Sequence, residues 1–327
     1  MQVDLNALLK QQNEYINGAI PPTTFEKDRC IVTTCYDQEF AGCWVLLKEL
    51  IRLHTNLPIL IYYRAGELTE QQIVFLSEIS TQIEVRQLKS NIKNFIDRYG
   101  HSKGWACKIY AVLESTDYEQ VLWLDNDSIP IRNPDFLFDD PEYQNKGSLF
   151  WRDLMSTDQA NDYCWTSDFW RVFNVVPNDS ELFDSGQFFI NKTKCWQELQ
   201  LMKCYADNNQ VYFNWGGDKE CWRMAWQHLH LRRGLGFNQR NFQIGDTPYG
   251  MIEWGPFMKG NPNPYKKWSG GSIMVQRDRQ GQELFNHRTM AKFKLNQTND
   301  WHSNIQNETW YHSHLQQLEY KWNNVQK

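Results

Sequence analysis

The stretch VLWLDNDSIPI, residues 121–131, sets four apolar residues, Val121 to Leu124, directly ahead of Asp125 and Asp127, with only Asn126 between them. A short apolar run of this kind suits a strand buried on both faces, the type found in parallel sheets. Two carboxylates at its end repel one another, and desolvating them is costly unless something positive neutralises them. The stretch therefore predicts both a buried strand and a cation at its tip.

Upstream, CIVTT (30–34), LPILIYY (57–63) and IEVRQL (83–88) read as further strands. Residues 40–54 carry apolar positions at helical spacing. LTEQQIVFLSEIS, from Leu68, opens with Thr69 as a cap and continues as an amphipathic helix. GWACKIYAVLES (104–115) is a helix with Ile109, Val112 and Leu113 on one face, leading straight into the motif strand. This rhythm indicates an α/β class, a Rossmann-like α/β/α sandwich with a mainly parallel sheet. In such sheets ligands bind at the carboxyl ends of the strands, where Asp125 and Asp127 stand. Downstream, GSLFW (147–151) and GQFFIN (186–191) read as strands, 194–207 and 218–230 as helices, and SIMVQ (272–276) as a late strand. The Gly/Pro/Asn-rich stretch 245–271 reads as a long loop or lid. A polar leader (1–28) and a tail (296–327) with an outer helix flank a main domain over 29–295.

The 327 residues carry a net charge of −5 with no long basic run, which argues against nucleic acid as the main partner. The longest apolar runs fall short of a transmembrane segment, and MQVDLNALLK lacks the basic start and apolar core of a signal peptide. Eight cysteines without a Cys-x-x-Cys pair read as reduced, buried thiols. Asn126-Asp127-Ser128 is a glycosylation sequon inside the motif itself, and four more start at Asn178, Asn191, Asn296 and Asn307. A cytoplasmic setting is expected on these grounds, with the lumenal part of an anchored enzyme as the alternative. Of fifteen tryptophans, most are expected to be core and a minority to line a carbohydrate cleft.

Two carboxylates at a strand end make a hard, oxygen-rich site suited to Mn²⁺ or Mg²⁺ bridging a diphosphate. Such an ion would offset the repulsion and stabilise charge growing on a departing nucleotide diphosphate.

LDNDSIPIRNPDFLF resembles the Asp-x-Asp segment of GT-A-fold glycosyltransferases, and more closely that of the fungal α-mannosyltransferases that extend mannan side chains; glycogenin-like enzymes are more distant. The likeness covers roughly residues 30–295 and includes GWACKIYAVLES, GSLFWRD (147–153), FDSGQFFINK (183–192), WGGDKECWRMAW (215–226) and LFNHRTMAKF (284–293), in the family's order. Asp184 departs from the family, which more often has Glu there, and the anchor and stem of the fungal Golgi enzymes are absent. The resemblance implies a GT-A catalytic domain split near residue 150 into a nucleotide-sugar half and an acceptor half.

It also implies roles. Asp125 faces the ribose and donor sugar and shares the metal with Asp127 and His287. Arg288 and Lys292 suit a diphosphate pocket, and Lys108 reaches the phosphates. Thr33, Thr34 and Tyr36 hold base and ribose, and Asp37 accepts from a guanine edge. Asp184 and Gln187, with Gly186 allowing close approach, contact the transferred sugar. Asp218, after Gly216-Gly217, serves as a helix cap, as a sugar or acceptor contact, or as both. Trp151, Trp215 and Trp222 are candidate walls of the acceptor cleft. The expected activity is metal-dependent transfer of a hexose, mannose from GDP-mannose foremost, to a glycan hydroxyl with retention of configuration. Three alternatives remain: a UDP-hexose donor, a haloacid-dehalogenase-type phosphatase, and a silent carbohydrate-binding protein. The pairs His228/His230 and His312/His314 lack the partners of a zinc site and read as structural.

Overall fold

The computed structural model describes residues 5–18, 20–22, 24–90, 92, 95–96, 102–103, 106–152, 183–208, 218–232, 243–244, 251–253, 273–278, 280–289, 291–299, 301 and 305–325. In chain order the elements begin with α1 (Leu5–Asn17), β1 (Lys27–Thr34), α2 (Phe40–Arg52), β2 (Ile59–Tyr63), α3 (Glu70–Ser77), β3 (Ile83–Gln87), β4 (Phe95–Ile96), β5 (Ser102–Lys103), α4 (Cys107–Glu114), β6 (Tyr118–Leu124) and β7 (Ser128–Pro130). They continue with α5 (Pro141–Lys146), β8 (Ser148–Arg152), β9 (Phe183–Asn191), α6 (Trp196–Ala206), α7 (Lys219–Arg232), β10 (Gln243–Ile244), β11 (Met251–Glu253), β12 (Ile273–Arg277), β13 (Glu283–His287) and α8 (Glu308–Val325).

The central sheet is mainly parallel, with strand order β10-β8-β9-β6-β1-β2-β3. β1 pairs parallel with β2, setting Ile31 opposite Ile59, and β2 pairs parallel with β3, setting Ile59 opposite Ile83. β8 and β9 run antiparallel, with a register break between Phe150 and Trp151. The motif strand is as buried as its composition demands: Val121, Leu122, Trp123 and Leu124 are all closed to solvent. A second, antiparallel sheet has the order β11-β12-β13-β7. Its strand β7 was not expected, because three residues are too few to show a period.

The chain divides into two units, one of Met1–Arg29, Lys89–Leu122 and Asp139–Gly245, the other of Cys30–Leu88, Trp123–Phe138 and Asp246–Lys327. The chain thus passes between these units several times. In the first unit the leader is structural: α1 packs on α6, and the Tyr15 hydroxyl donates to Asp207 at 2.6 Å, a carboxylate that Tyr110 also reaches. In the second unit the tail helix α8 lies on α2. There the Trp44 indole donates to the His314 carbonyl at 2.9 Å, His314 Nε2 meets Glu49 Oε2 at 3.1 Å, and Phe40 and Phe75 pack on Trp322. Thr69 caps α3 as expected, and Gln72 completes a reciprocal capping box.

Seven cysteines (Cys30, Cys35, Cys43, Cys107, Cys195, Cys204 and Cys221) are buried free thiols; Cys164 and most of the expected loop 245–271 lie outside the described residues. Among the described residues no helix is long and apolar enough to cross a membrane.

The segment after β13 is fixed by one buried cation. Arg288 donates from Nη1 to Glu308 Oε2 at 2.7 Å and from Nε to the Ala291 carbonyl at 2.7 Å, with Phe293 against its guanidinium at 4.2 Å. Both members of this pair are almost wholly buried, so removing the carboxylate leaves a charge that water cannot reach. Glu308→Ala is expected to lower unfolding free energy by about 3–5 kcal/mol, read from urea denaturation.

Candidate active site

Asp125 directly follows β6, and its carbonyl accepts from Ser128 N at 2.8 Å, closing a four-residue turn over Asn126 and Asp127. That turn sends the chain into β7, which pairs antiparallel with β13 and sets Ser128 opposite His287. The next backbone bond, from Arg288 N to the Asp127 carbonyl at 2.7 Å, fixes the two segments side by side. Helix α2 supports the turn from the other side. A Cβ at Gly42 would stand 3.0 Å from the Asn126 carbonyl oxygen, so a side chain there would press helix and turn apart.

The result is a cluster in which one ligand atom each from Asp125, Asp127 and His287 lies within 4.8 Å of the others. Asp127 Oδ1 is 3.5 Å from His287 Nε2, and its Oδ2 is 2.9 Å from Lys292 Nζ. Asp125 Oδ1 accepts from the Trp123 indole at 2.7 Å, which orients it. Lys292 reaches back to Glu39 Oε1 at 2.5 Å. Burial pushes the Asp127 carboxyl up, but Lys292 and His287 together outweigh it and hold it well below the usual carboxylate range. For Lys292, burial acts to lower the ammonium's pKa, and Asp127 and Glu39 override it and raise it. Two carboxylates and one imidazole are donors that suit a hard divalent ion, the imidazole tilting the choice from Mg²⁺ towards Mn²⁺.

The other residues expected around this cluster divide. Tyr36 is half-buried, its phenol pushed up by burial and by the neighbouring Glu39. Thr34 is partly open, and its carbonyl accepts from the Asn126 amide at 3.4 Å. Asp37 is exposed and accepts from the Gln72 amide at 2.7 Å. Thr33 is a correction: it is 0% exposed inside β1, its hydroxyl facing only the Thr34 carbonyl at 3.5 Å, so no ligand reaches it. Arg288 is another, since its guanidinium is enclosed by Glu308, Ala291 and Phe293 rather than open to a diphosphate.

Glu39 was missed in the sequence. Its one signal was a second acid just past the first strand, two residues beyond Asp37, at the end of the short helical turn Asp37–Glu39.

In the first unit a separate polar cluster forms where α4, β9 and the start of α7 meet. Lys108 Nζ donates to the Ser185 carbonyl at 2.7 Å and sits 3.0 Å from Asp218 Oδ2, which also accepts from the Trp222 indole at 3.1 Å. Lys108, expected to extend to phosphates, is only 5% exposed and is committed to these partners. Asp184 accepts from Gly186 N at 3.0 Å through Oδ1 and from the Gln187 amide at 2.7 Å through Oδ2. Asp184, Gln187 and Asp218 are all buried.

Trp151 and Trp222 are not cleft walls. Both are closed to solvent, Trp151 beside Phe189, and Trp222 against Phe188 at 4.6 Å and Trp226 at 5.9 Å. Trp215, Gly216 and Gly217 lie outside the described residues.

The family described as "Mannosyltransferase putative" matches residues 28–181. Among curated proteins the chain is similar to "Putative alpha-1,3-mannosyltransferase MNN14" of Candida albicans, at 28% identity over 146 residues, 41% of this chain and 20% of that protein. It is also similar to alpha-1,2-mannosyltransferase MNN24 of the same organism, at 25% identity over 274 residues, 70% of this chain and 37% of that one. The chain thus spans about a fifth to a little over a third of the length of these relatives. Among solved structures, the galactosyltransferase LgtC in complex with donor and acceptor sugar analogues aligns with a TM-score of 0.50 at 13% identity, covering 88% of this chain and 95% of LgtC. The fold is therefore of the GT-A glycosyltransferase type, and the resemblance to fungal mannosyltransferases stands.

Because Asp127 stays ionised in the folded chain to lower pH than when unfolded, its share of stability is present above about pH 4 and is lost as pH falls. With chelator present, the difference in unfolding free energy between wild type and Asp127→Asn is expected to shrink as pH falls from about 4 to about 2.5. Urea titrations across that range check it.

Proposed function

We propose that this chain is a metal-dependent glycosyltransferase that moves a hexose, mannose from GDP-mannose, to a hydroxyl of a glycan acceptor with retention of configuration. The observation that carries the proposal is the cluster of Asp125, Asp127 and His287 at the carboxyl end of a buried sheet strand. Its likeness to fungal mannosyltransferases supports mannose as the transferred sugar.

A Mn²⁺ ion (or Mg²⁺) held by the three side chains would supply positive charge against the diphosphate as the sugar bond breaks. Lys292, the exposed cation of the cluster, is suited to the same phosphate oxygens. Asp125 and the partly open Thr34 and Tyr36 remain the candidates to position ribose and base.

Retention is what the resemblance to the fungal enzymes implies, and the buried carboxylates bear only on whether it proceeds through a covalent intermediate. Asp184 has both oxygens bonded to its own strand neighbours, and Asp218 is paired with Lys108, so neither is poised as a nucleophile. The acceptor hydroxyl then attacks the face that the diphosphate leaves, and its proton passes to the leaving phosphate oxygen. Asp184, Gln187 and Asp218 are the candidates to contact the transferred sugar or the acceptor, with Lys108 holding Asp218 in place.

A cytoplasmic setting accords with Asn126 in its sequon. It is 5% exposed and its amide is bonded to the Thr34 carbonyl, a position with no room for a glycan.

The test is donor hydrolysis by purified protein with GDP-mannose, UDP-glucose, UDP-galactose and UDP-N-acetylglucosamine, with Mn²⁺ or with chelator. Turnover of GDP-mannose that needs Mn²⁺ and falls about a hundred-fold or more in Asp127→Ala is expected. Turnover of a UDP-sugar instead would remove the mannosyl assignment and keep the fold's chemistry. No turnover and no metal-dependent nucleotide binding would leave a silent binding protein.

A further inference from the structure

We infer that Lys292 is a built-in counter-cation for Asp127, and that Glu39 is its positioning residue, the anchor that keeps the ammonium when a divalent ion takes the aspartate. The inference rests on the metal reading of the cluster and adds to it a competitor and a parking site.

Three carboxylates converge here: Asp125, Asp127 and Glu39. Lys292 Nζ bridges two of them, 2.9 Å from Asp127 Oδ2 and 2.5 Å from Glu39 Oε1. With the imidazole of His287 neutral, as a metal ligand must be, three negative charges and one positive leave two negative charges. A divalent ion neutralises that remainder.

The ion needs the Asp127 carboxylate, and Lys292 already sits on its Oδ2, beside the Oδ1 that faces His287. An ammonium and a divalent cation at the same oxygen repel strongly in a partly dry site. Lys292 has somewhere to go, since its side chain is 41% exposed and one of its two bonds is already to Glu39. Glu39 itself is largely enclosed, and Tyr36 hydrogen-bonds to it. Metal entry therefore requires Lys292 to release one hydrogen bond while the other stays. Without the ion Lys292 offsets part of the negative charge, which lets the aspartate turn form before any metal is bound.

The experiment titrates Mn²⁺ alone, without nucleotide, into purified full chain, reading free Mn²⁺ by electron paramagnetic resonance. Wild type, Lys292→Gln, Glu39→Gln and the double variant are compared. Lys292→Gln is expected to bind Mn²⁺ about ten-fold tighter, because the competing charge is gone. Glu39→Gln is expected to bind about three-fold more weakly, because Lys292 then has only Asp127. The double variant is expected to match Lys292→Gln, since the anchor acts only through the lysine.

Melting temperatures with and without Mn²⁺ give a second readout. The rise on adding Mn²⁺ is expected to be larger in Lys292→Gln than in wild type, because the ion replaces a missing internal cation. A variant that does not fold would be seen here as the loss of a cooperative transition, and Lys292→Met then takes its place.

Weaker Mn²⁺ binding in Lys292→Gln, or no change, would overturn the competitor role. A loss on Glu39→Gln of equal size in both backgrounds would overturn the anchor role, since Glu39 would then act on the ion directly. Absence of saturable Mn²⁺ binding in wild type itself would remove the metal reading and this inference together, an outcome visible before any variant is made.

Discussion

The backbone hydrogen bond from Arg288 to the Asp127 carbonyl is the contact on which the second unit's chemistry depends. It belongs to the pairing of β7 with β13, and that pairing is what converts two neighbouring aspartates into a four-sided cluster. Shifting β13 by one residue would turn His287 to the opposite face of its sheet and carry Lys292 with it. The aspartates would then face each other with no cation nearby. A register set by backbone bonds thus decides the protonation behaviour of a side chain, since Asp127 is held ionised by groups that only this register delivers.

The same physical problem is met differently in the first unit. Asp218 is buried and ionisable, and its neutralising partner Lys108 is buried too, within a closed set that includes the Ser185 carbonyl and the Trp222 indole. A pair enclosed in this way is fixed. Lys292, by contrast, stands partly in solvent with two acceptors, so its bond to Asp127 can be exchanged. The closed pair is held in one arrangement, whereas the half-open cation can trade one acceptor for the other.

What the sequence revealed follows from the strength of local signals. Val121–Leu124 and Ile59–Tyr63 are contiguous apolar runs, and each became a buried strand. The capping role of Thr69 was legible because the box is local. β7 was not legible: its three residues acquire strand geometry only through β13, some 150 residues away. Asp125 and Asp127 were legible as carboxylates ending a buried strand, His287 was found through the resemblance, and the structure gathers all three. Trp151 and Trp222 could be counted but not placed, because an aromatic side chain packs a core and lines a cleft with the same surface. Arg288 and Lys292 looked alike as cations four residues apart, yet one closes on Glu308 and the other opens to solvent. Glu39 was not legible because its partner Lys292 lies 253 residues away in the chain.

The tail shows how far the site depends on remote sequence. The tail 296–327 read as an outer helix beyond the resemblance. In the fold, Glu308 of that helix neutralises Arg288, and Tyr311 accepts from the Asn286 amide at 2.9 Å. Both partners flank His287, so the helix grips the strand on either side of the imidazole. Arg288 in turn holds the Ala291 carbonyl, the residue before Lys292. The position of the exchangeable lysine is therefore set by an ion pair with no chemistry of its own. A deletion that spares every residue from 30 to 295 would still loosen the cluster, because a catalytic domain defined by its motifs is smaller than the one defined by its contacts.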